Sequence, residues 1–203
     1  MKIKKFSEFI TEGMWGSALR RSNTAKERKD DEANRIQEFI DKQRNPESIY
    51  ITDGNVINSK SNITIRDTDL VDGKLPFKFG RVDKDFICIK CTSLASLEGS
   101  PQEVGGIFSC YNCTSLTSLK GAPQEVGRNF ICSECTSLTS LEGAPQKVGR
   151  DFYCIKCTSL TSLEGVPQKV GRDFYCSECK SLTSLKGAPQ EVGRDFYCIE
   201  CTS

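Results

Sequence analysis

The cysteines are the residues of this sequence whose type and spacing could do chemistry. Twelve cysteines form six Cys-x-x-Cys pairs, and eighteen residues separate each pair from the next. Two pairs at this distance satisfy the spacing of a four-thiolate zinc site. A single Cys-x-x-Cys pair at a helix start can also exchange disulfides. The pairs are Cys88 and Cys91, Cys110 and Cys113, Cys132 and Cys135, Cys154 and Cys157, Cys176 and Cys179, and Cys198 and Cys201.

Three observations favour buried structural thiols over metal ligands. The spacing follows from a 22-residue repeat, because any residue kept in every copy recurs at that distance. A degenerate upstream copy has Ile65 and Thr68 in place of the two cysteines, and an apolar residue can replace a buried thiol but not a ligand. The chain also has no His. We therefore predict structural cysteines, no metal and no cofactor, with a four-cysteine zinc module or disulfides as the alternatives.

The same composition argues against an enzyme. Without His, neither a Ser-His-Asp nor a Cys-His nucleophile system can form. Val170-Gly171-Arg172-Asp173 has a single Gly and precedes a strand, so it is not a phosphate-binding loop. Six identical pairs on strands also differ from the single reactive pair of a thiol oxidoreductase. We predict a non-enzymatic protein.

The cysteines belong to a 22-residue unit that repeats from Phe86 to Ser203, as five full copies and a partial sixth. The fourth copy reads FYCIKCTSLTSLEGVPQKVGRD. A fixed period of this length predicts a solenoid. Burying one Phe, two Leu and one Val stabilises a coil by about 6–12 kcal/mol. Ordering its residues costs about 30 kcal/mol, so the coils must stack to fold.

Each coil is predicted to contain one short parallel strand. In the fourth copy, Phe152-Tyr153-Cys154 alternates buried and exposed, which is the period of a strand. Leu160 and Leu163 are three residues apart, so the strand has ended before them. Gly165 and Pro167 then form the turn that leads to the next coil.

The spacing Phe152-x-Cys154-x-x-Cys157, followed by Leu160 and Leu163, resembles the leucine-rich repeat with cysteine at its ladder position. Leu160 comes one residue later than that family's pattern expects. The SLTSLEGAP and EVGG segments are similar to repeats in proteins of large tailed phages. The resemblance implies a leucine-rich-repeat-like solenoid. A right-handed parallel β-helix is the alternative. The Pro in every complete coil is evidence against a second and a third strand.

Bulk properties limit the partners and the location. The formal net charge is +1, so we expect no general binding to nucleic acid. No apolar run approaches the roughly 18 residues that span a membrane, and the N-terminus has no apolar core of a secretory signal. We therefore expect no membrane association. The phage resemblance implies that the protein is made in the host cytoplasm and packaged in the virion.

The N-terminal segment is predicted to be an amphipathic leader, residues 1–12. Ile3, Phe6, Phe9 and Ile10 share one helical face. MKIKKFSEFITE resembles the capsid-targeting leader of T4-type phage internal head proteins, which are cut after a Leu/Ile-x-Glu triplet. The resemblance implies processing within Ile10-Thr11-Glu12-Gly13, after Glu12. A helix docking on its own domain is the alternative reading.

The segments between the leader and the repeats are predicted as follows. Residues 13–30 read as a polar linker. Residues 31–46 read as a helix that stops at Asn45-Pro46. Residues 47–85 read as a β-hairpin around Asp53-Gly54, followed by a degenerate coil that caps the first full repeat.

Two surfaces are predicted to bind partners. Solenoids bind through the exposed face of their sheet, where aromatic and arginine side chains favour protein contacts. The predicted partner is a phage head component or a host protein, with aromatic pairing within the sheet as the alternative. The final coil offers an open edge and partly uncovered Leu182, Leu185 and Val192, which predicts end-to-end self-association. The sheet-face residues are Tyr153, Tyr175, Tyr197, Arg150, Arg172, Arg194, Asp151, Asp173 and Asp195.

Overall fold

The computed structural model describes residues 14–201, with the side chains given at positions 27 and 28 and from 30 onward. The chain divides into two units, Met1–Lys42 and Gln43–Ser203, each of which is described by itself. The predicted leader, residues 1–12, and the predicted processing residues Ile10, Thr11, Glu12 and Gly13 lie outside the described residues.

The first unit contains one helix, α1 (Met14–Asp41), among its described residues. This helix begins inside the segment predicted as a linker, residues 13–30, and it ends before the predicted boundary at residue 46. The segment is polar, but it contains Ala, Lys, Arg and Glu and no Pro, so its composition is compatible with a helix. Ile36, Phe39 and Ile40 of this helix are buried. No helix in the described part of the chain is long and apolar enough to cross a membrane.

The second unit is a β-solenoid with two sheets, whose strands are parallel except for β1. The eight-stranded sheet contains, in spatial order, β1 (Ile49–Thr52), β2 (Val56–Ser59), β4 (Phe79–Val82), β6 (Glu103–Val104), β8 (Glu125–Val126), β10 (Lys147–Val148), β12 (Lys169–Val170) and β14 (Glu191–Val192). The seven-stranded sheet contains β3 (Ile63–Thr64), β5 (Phe86–Ile87), β7 (Phe108–Ser109), β9 (Phe130–Ile131), β11 (Phe152–Tyr153), β13 (Phe174–Tyr175) and β15 (Phe196–Tyr197). Short 3₁₀ helices occupy Pro46–Ser48 and Asp67–Asp69.

Equivalent residues of neighbouring coils pair in both sheets. Phe152 pairs with Phe174 in one sheet and Val148 pairs with Val170 in the other, each 22 residues along the chain. The predicted repeat solenoid with parallel strands is therefore confirmed.

The predicted number of strands in a coil is wrong, because each full coil contains two strands rather than one. The second strand is the Glu-Val or Lys-Val dipeptide that follows Pro-Gln. In the fourth copy, Pro167 lies two residues before β12, so its missing N–H falls outside the paired residues.

The core is a stack of identical side chains. The Phe rings of adjacent coils, from Phe86 to Phe196, stack with centroids 5.1–5.6 Å apart. Leu160 and Leu163 of the fourth copy are fully buried, and so is Val170. Each core residue thus lies between its own copies from the two neighbouring coils, which is the stacking that a single coil lacks.

The N-terminal edges of both sheets are covered within the second unit. The predicted hairpin is present: β1 pairs antiparallel with β2, and β2 pairs with β4 of the following coil. At the edge of the seven-stranded sheet, the side-chain oxygen of Gln43 accepts the backbone N–H of Thr64 at 2.9 Å, and its NH₂ group donates to the carbonyl oxygen of Thr64 at 3.1 Å. The side-chain amide of Gln43 therefore pairs with the backbone of β3 as a residue of a neighbouring strand would. The sequence did not indicate this role.

The last described coil differs from the others in its exposure. Leu185 is 52% exposed and Ile199 is 61% exposed, whereas Leu182 is only 3% exposed. Leu182 was predicted to be partly uncovered, but it is buried. End-to-end association through this coil stays a prediction.

Glycine at the corner between the two sheets is required by the spacing of the coils. A Cβ atom built on Gly149 would lie 2.2 Å from the carbonyl oxygen of Gly127 in the preceding coil. Gly149 also donates its N–H to the carbonyl oxygen of Val126 at 2.9 Å. The two coils would have to separate to admit a side chain, and that hydrogen bond would lengthen.

We expect Gly149→Ala to lower the free energy of unfolding by about 3 kcal/mol, since the added methyl group meets backbone rather than a movable side chain. Gly54→Ala is the control: its Cβ meets nothing within 4 Å, so only the strain of its positive φ remains, about 1 kcal/mol. Urea unfolding followed by circular dichroism measures both values. Equal losses in the two variants would contradict the close-stacking argument.

Candidate binding face and cysteine ladder

The predicted tyrosines form a column on the outer side of the seven-stranded sheet. Tyr153, Tyr175 and Tyr197 occupy the same place in β11, β13 and β15 and are half-buried. Their rings stack with centroids 4.6 and 4.7 Å apart and planes within 6° of parallel. The ring faces are therefore largely covered by each other.

Two of the three predicted aspartates are buried beside this column and do not face solvent. Asp151 and Asp173 are buried, and only Asp195 is exposed. One oxygen of Asp151 accepts the backbone N–H of Asp173 in the next coil at 3.2 Å, and the other accepts the hydroxyl of Tyr153 at 3.3 Å. The expectation that these carboxylates lie on the solvent-facing surface is therefore wrong for Asp151 and Asp173. Burial, together with the charge of Asp151, raises the pKa of Tyr153 to about 12.

The predicted arginines form a second column at the corner that precedes each of these strands. The backbone N–H of Arg172 donates to the carbonyl oxygen of Arg150 at 2.9 Å, and that of Arg194 donates to Arg172 at the same distance. Arg150 and Arg194 are exposed, whereas Arg172 is half-buried with its Nε atom 3.7 Å from Asp151. Arg128 belongs to the same column, because its carbonyl oxygen accepts the N–H of Arg150 at 2.9 Å. Arg128 was not among the residues predicted from the sequence, although its place in the repeat, 22 residues before Arg150, identifies it.

An apolar groove runs beside the tyrosine column. Tyr111, Ile131, Tyr153 and Ile155 line it, and its volume is about 270 Å³. Charged side chains from the turn after these strands form its rim, and a hydrogen bond to Glu134 raises the pKa of Tyr111. Tyr111 and Ile155 occupy the same place in their copies as Ile89 and Ile199 do in theirs. Ile89 is 49% exposed and Ile199 is 61% exposed.

A tight turn positions the two cysteines of every pair. The residue before the second cysteine has a φ of 56–60° in all six copies, and in five of them it is Lys or Glu. The left-handed conformation is unfavourable for such residues, so the stacking of the coils must stabilise it. The sequence did not indicate this turn, since the left-handed region is usually marked by glycine. The residues are Lys90, Asn112, Glu134, Lys156, Glu178 and Glu200.

The second cysteine of each pair hydrogen-bonds to the preceding coil. The thiol of Cys113 donates to the carbonyl oxygen of Cys88 at 3.0 Å, and that of Cys157 donates to the carbonyl oxygen of Cys132 at 3.2 Å. Cys135, Cys179 and Cys201 repeat this bond at 3.1, 3.0 and 2.9 Å. We call this set of bonds the cysteine ladder. No backbone N–H in the described part of the chain donates to the carbonyl oxygen of Cys132.

The first cysteine of each pair acts mainly as a core residue. The thiol of Cys154 lies 3.4 Å from the carbonyl oxygen of Tyr175, but that oxygen already accepts the backbone N–H of Cys154 at 2.8 Å. Burial raises the pKa of Cys88 and of Cys132, so both thiols keep their protons at neutral pH. A protonated thiol is what donation to a carbonyl requires, and it is not a metal ligand.

One group of sulfurs could hold a metal ion. Within residues 27–201, the Sγ atoms of Cys176, Cys198 and Cys201 are the one set of three metal-binding atoms within 4.8 Å of one another. Three thiolates can hold zinc when water provides the fourth ligand. The thiol of Cys201, however, donates to the carbonyl oxygen of Cys176 at 2.9 Å. Among the described residues, no four cysteines meet as the alternative zinc module requires.

Comparisons of the chain with protein-family models, with curated proteins and with solved structures give no match. The resemblance to leucine-rich repeats of tailed phages and to the capsid-targeting leader therefore stays a prediction.

We expect Cys157→Ala to destabilise the protein more than Cys154→Ala. Both thiols are fully buried, so the two variants lose similar packing. Only Cys157→Ala also leaves the carbonyl oxygen of Cys132 without its donor, which costs a further 1–3 kcal/mol or so. Urea unfolding of the two variants measures the difference. An equal loss, or a larger one for Cys154→Ala, would mean that the cysteine ladder contributes no hydrogen bonding.

Proposed function

We propose that this protein is a non-enzymatic scaffold that binds another protein through the outer side of its seven-stranded sheet. The observation that carries the proposal is the set of apolar and aromatic side chains on that side. It consists of the groove lined by Tyr111, Ile131 and Ile155, the tyrosine column, and the exposed Ile89 and Ile199. Exposed apolar clusters with tyrosine at their centre are typical of protein-binding surfaces.

The outer side of the eight-stranded sheet lacks these properties from β4 to β14, although Tyr50 and Ile51 of β1 are each 46% exposed. Its outward residues are charged and pair between neighbouring coils. Lys147 lies 3.4 Å from Glu125, and Lys169 lies 2.6 Å from Glu191. Such pairs are satisfied within the protein and well hydrated, so they offer little to a partner.

The non-enzymatic part of the proposal rests on the state of the reactive groups. Ten of the twelve cysteines are buried, Cys198 and Cys201 are half-buried, and five thiols donate to carbonyl oxygens in the cysteine ladder. The Asp151 carboxylate already accepts a backbone N–H and a tyrosine hydroxyl. A general base would need an oxygen that is free to accept a substrate proton.

The binding surface can be tested with a photoreactive phenylalanine analogue at position 155, in protein produced in its natural host cell. We expect cross-linking to one defined protein, because Ile155 lines the groove of the proposed face. The same analogue at Lys147, whose side chain is 72% exposed on the other sheet, is the control. Ile155→Asp in the native sequence should prevent co-purification of the identified protein, and Lys147→Asp should not.

Equal cross-linking at positions 155 and 147, or co-purification that survives Ile155→Asp, would contradict the proposed face. Circular dichroism of both aspartate variants shows whether a loss of binding comes from unfolding instead.

For the biological setting, we propose a tailed-phage protein that is packaged in the head and trimmed after Glu12. The support is the resemblance of residues 1–12 to a capsid-targeting leader and of the repeats to tailed-phage proteins. Mass spectrometry of purified particles should then detect a peptide that begins at Gly13 without a preceding protease site for trypsin. Particles that contain the protein with residues 1–12 intact would contradict processing. A host protein as the cross-linked partner, with no copy in the particles, would instead support a module that acts in the host cytoplasm.

A further inference from the structure

The arginine column is the longest run of one charge sign at an equivalent position of the described coils. Arg128, Arg150, Arg172 and Arg194 occupy one position in four consecutive coils and all carry the same charge. Their backbones are joined by hydrogen bonds of 2.9 Å, so the column advances by about 4.8 Å per coil, the spacing of neighbouring strands.

Each column of Lys and Glu contains both signs, and several neighbours of opposite charge in these columns lie close together. Lys120 lies 3.2 Å from Glu142, and Lys186 lies 2.9 Å from Glu164. Lys156 lies 3.7 Å from Glu178 in the turn after the seven-stranded sheet. Like charges stacked at strand spacing repel, and in the Lys/Glu columns at most two consecutive coils carry the same charge, as Glu142 and Glu164 do. Asp151, Asp173 and Asp195 form a shorter column of one sign beside the arginines. The four arginines therefore repel one another unless anions lie close to them.

The aspartates beside the arginines only partly neutralise them. Asp151 and Asp173 are buried, and their oxygens already accept backbone N–H groups and tyrosine hydroxyls. Arg172 is the one arginine of the column that forms an ion pair in the described residues, at 3.7 Å, and its buried Nε atom has no hydrogen-bond acceptor. The guanidinium groups of Arg128, Arg150 and Arg194 keep their N–H donors for a ligand.

We infer that the arginine column binds an acidic helical segment of the partner protein, with one carboxylate on each turn facing the column. The inference rests on the proposed function of the neighbouring sheet face. A helix places carboxylates of one face about 5.4 Å apart along its axis, close to the 4.8 Å between arginines. Arginine also binds carboxylates with two parallel hydrogen bonds, which lysine cannot do.

The tyrosine column argues against single-stranded nucleic acid as the ligand. Proteins that bind single strands stack bases on exposed aromatic faces beside a basic groove. The faces of Tyr153 and Tyr175 instead cover each other at 4.6 Å. Only ring edges remain on the surface between them, and edges do not stack with bases.

The test uses the full chain and a fluorescent four-turn helical peptide with one glutamate per turn. A peptide with glutamine at those positions, and a single-stranded DNA of equal charge, are measured beside it by fluorescence anisotropy. We expect the glutamate peptide alone to bind, and its binding to weaken as salt is added. The triple variant Arg150→Gln, Arg172→Gln and Arg194→Gln should weaken this binding roughly tenfold, since each exposed ion pair contributes modestly.

Two controls separate the column from net charge and from folding. The triple variant Lys120→Gln, Lys147→Gln and Lys169→Gln removes the same charge from paired columns and should leave the affinity unchanged. The double variant Arg150→Gln and Arg194→Gln keeps Arg172 and its contact with Asp151, so the fold is preserved, and it should still weaken binding roughly fivefold.

Three results would overturn the inference: no binding of the glutamate peptide, equal weakening by the arginine and lysine variants, or tighter binding of the DNA. Cross-linking at position 155 decides separately whether a protein docks on the sheet face. If cross-linking succeeds and the glutamate peptide does not bind, the proposed function stands and the acidic helix is excluded.

Discussion

A buried thiol that donates a hydrogen bond to the coil before it is the interaction on which the solenoid depends. Most of its strands contain two residues, and strands of that length supply few ladder bonds. The chain leaves the strand at the first cysteine and turns, so the carbonyl oxygen of that cysteine points away from the ladder. The second cysteine of the next coil, such as Cys157, satisfies it from inside the core. Sulfur suits this place because it is nearly apolar and still carries a donor.

The same register determines the surface. Once the coils repeat every 22 residues, each outward position becomes a column spaced at about 4.8 Å. The tyrosines then stack, and each buried aspartate accepts the backbone N–H of the aspartate in the next coil. The arginines lie along the corner between the two sheets. Where Lys and Glu vary among otherwise similar copies, they pair across coils. The variation among the copies therefore brings opposite charges of neighbouring coils within ion-pair distance of each other.

The sequence predicts the features that depend on period and polarity. The 22-residue spacing predicts parallel stacking, and the replacement of a cysteine by Ile65 predicts that the thiols are buried. It does not predict β12, because Lys169 and Val170 pair only through their stacked copies and not through any pattern of their own. The sequence pattern also predicts exposed side chains at Asp151 and Asp173, which are buried, since a recurring charged residue is usually solvated. Their burial depends on donors from the next coil, which a single copy does not contain.

The cysteine ladder requires that the buried thiols keep their protons and use them in hydrogen bonds. The Raman band of the S–H stretch reports this directly, because the band is present only for protonated thiols and shifts to lower frequency when the proton is donated. The native protein should show S–H bands at lower frequency than the protein unfolded in urea, with an intensity that accounts for all twelve cysteines. A native spectrum without S–H intensity would mean that the sulfurs hold metal or form disulfides, and one at the frequency of the unfolded protein would mean that the cysteine ladder is not hydrogen-bonded.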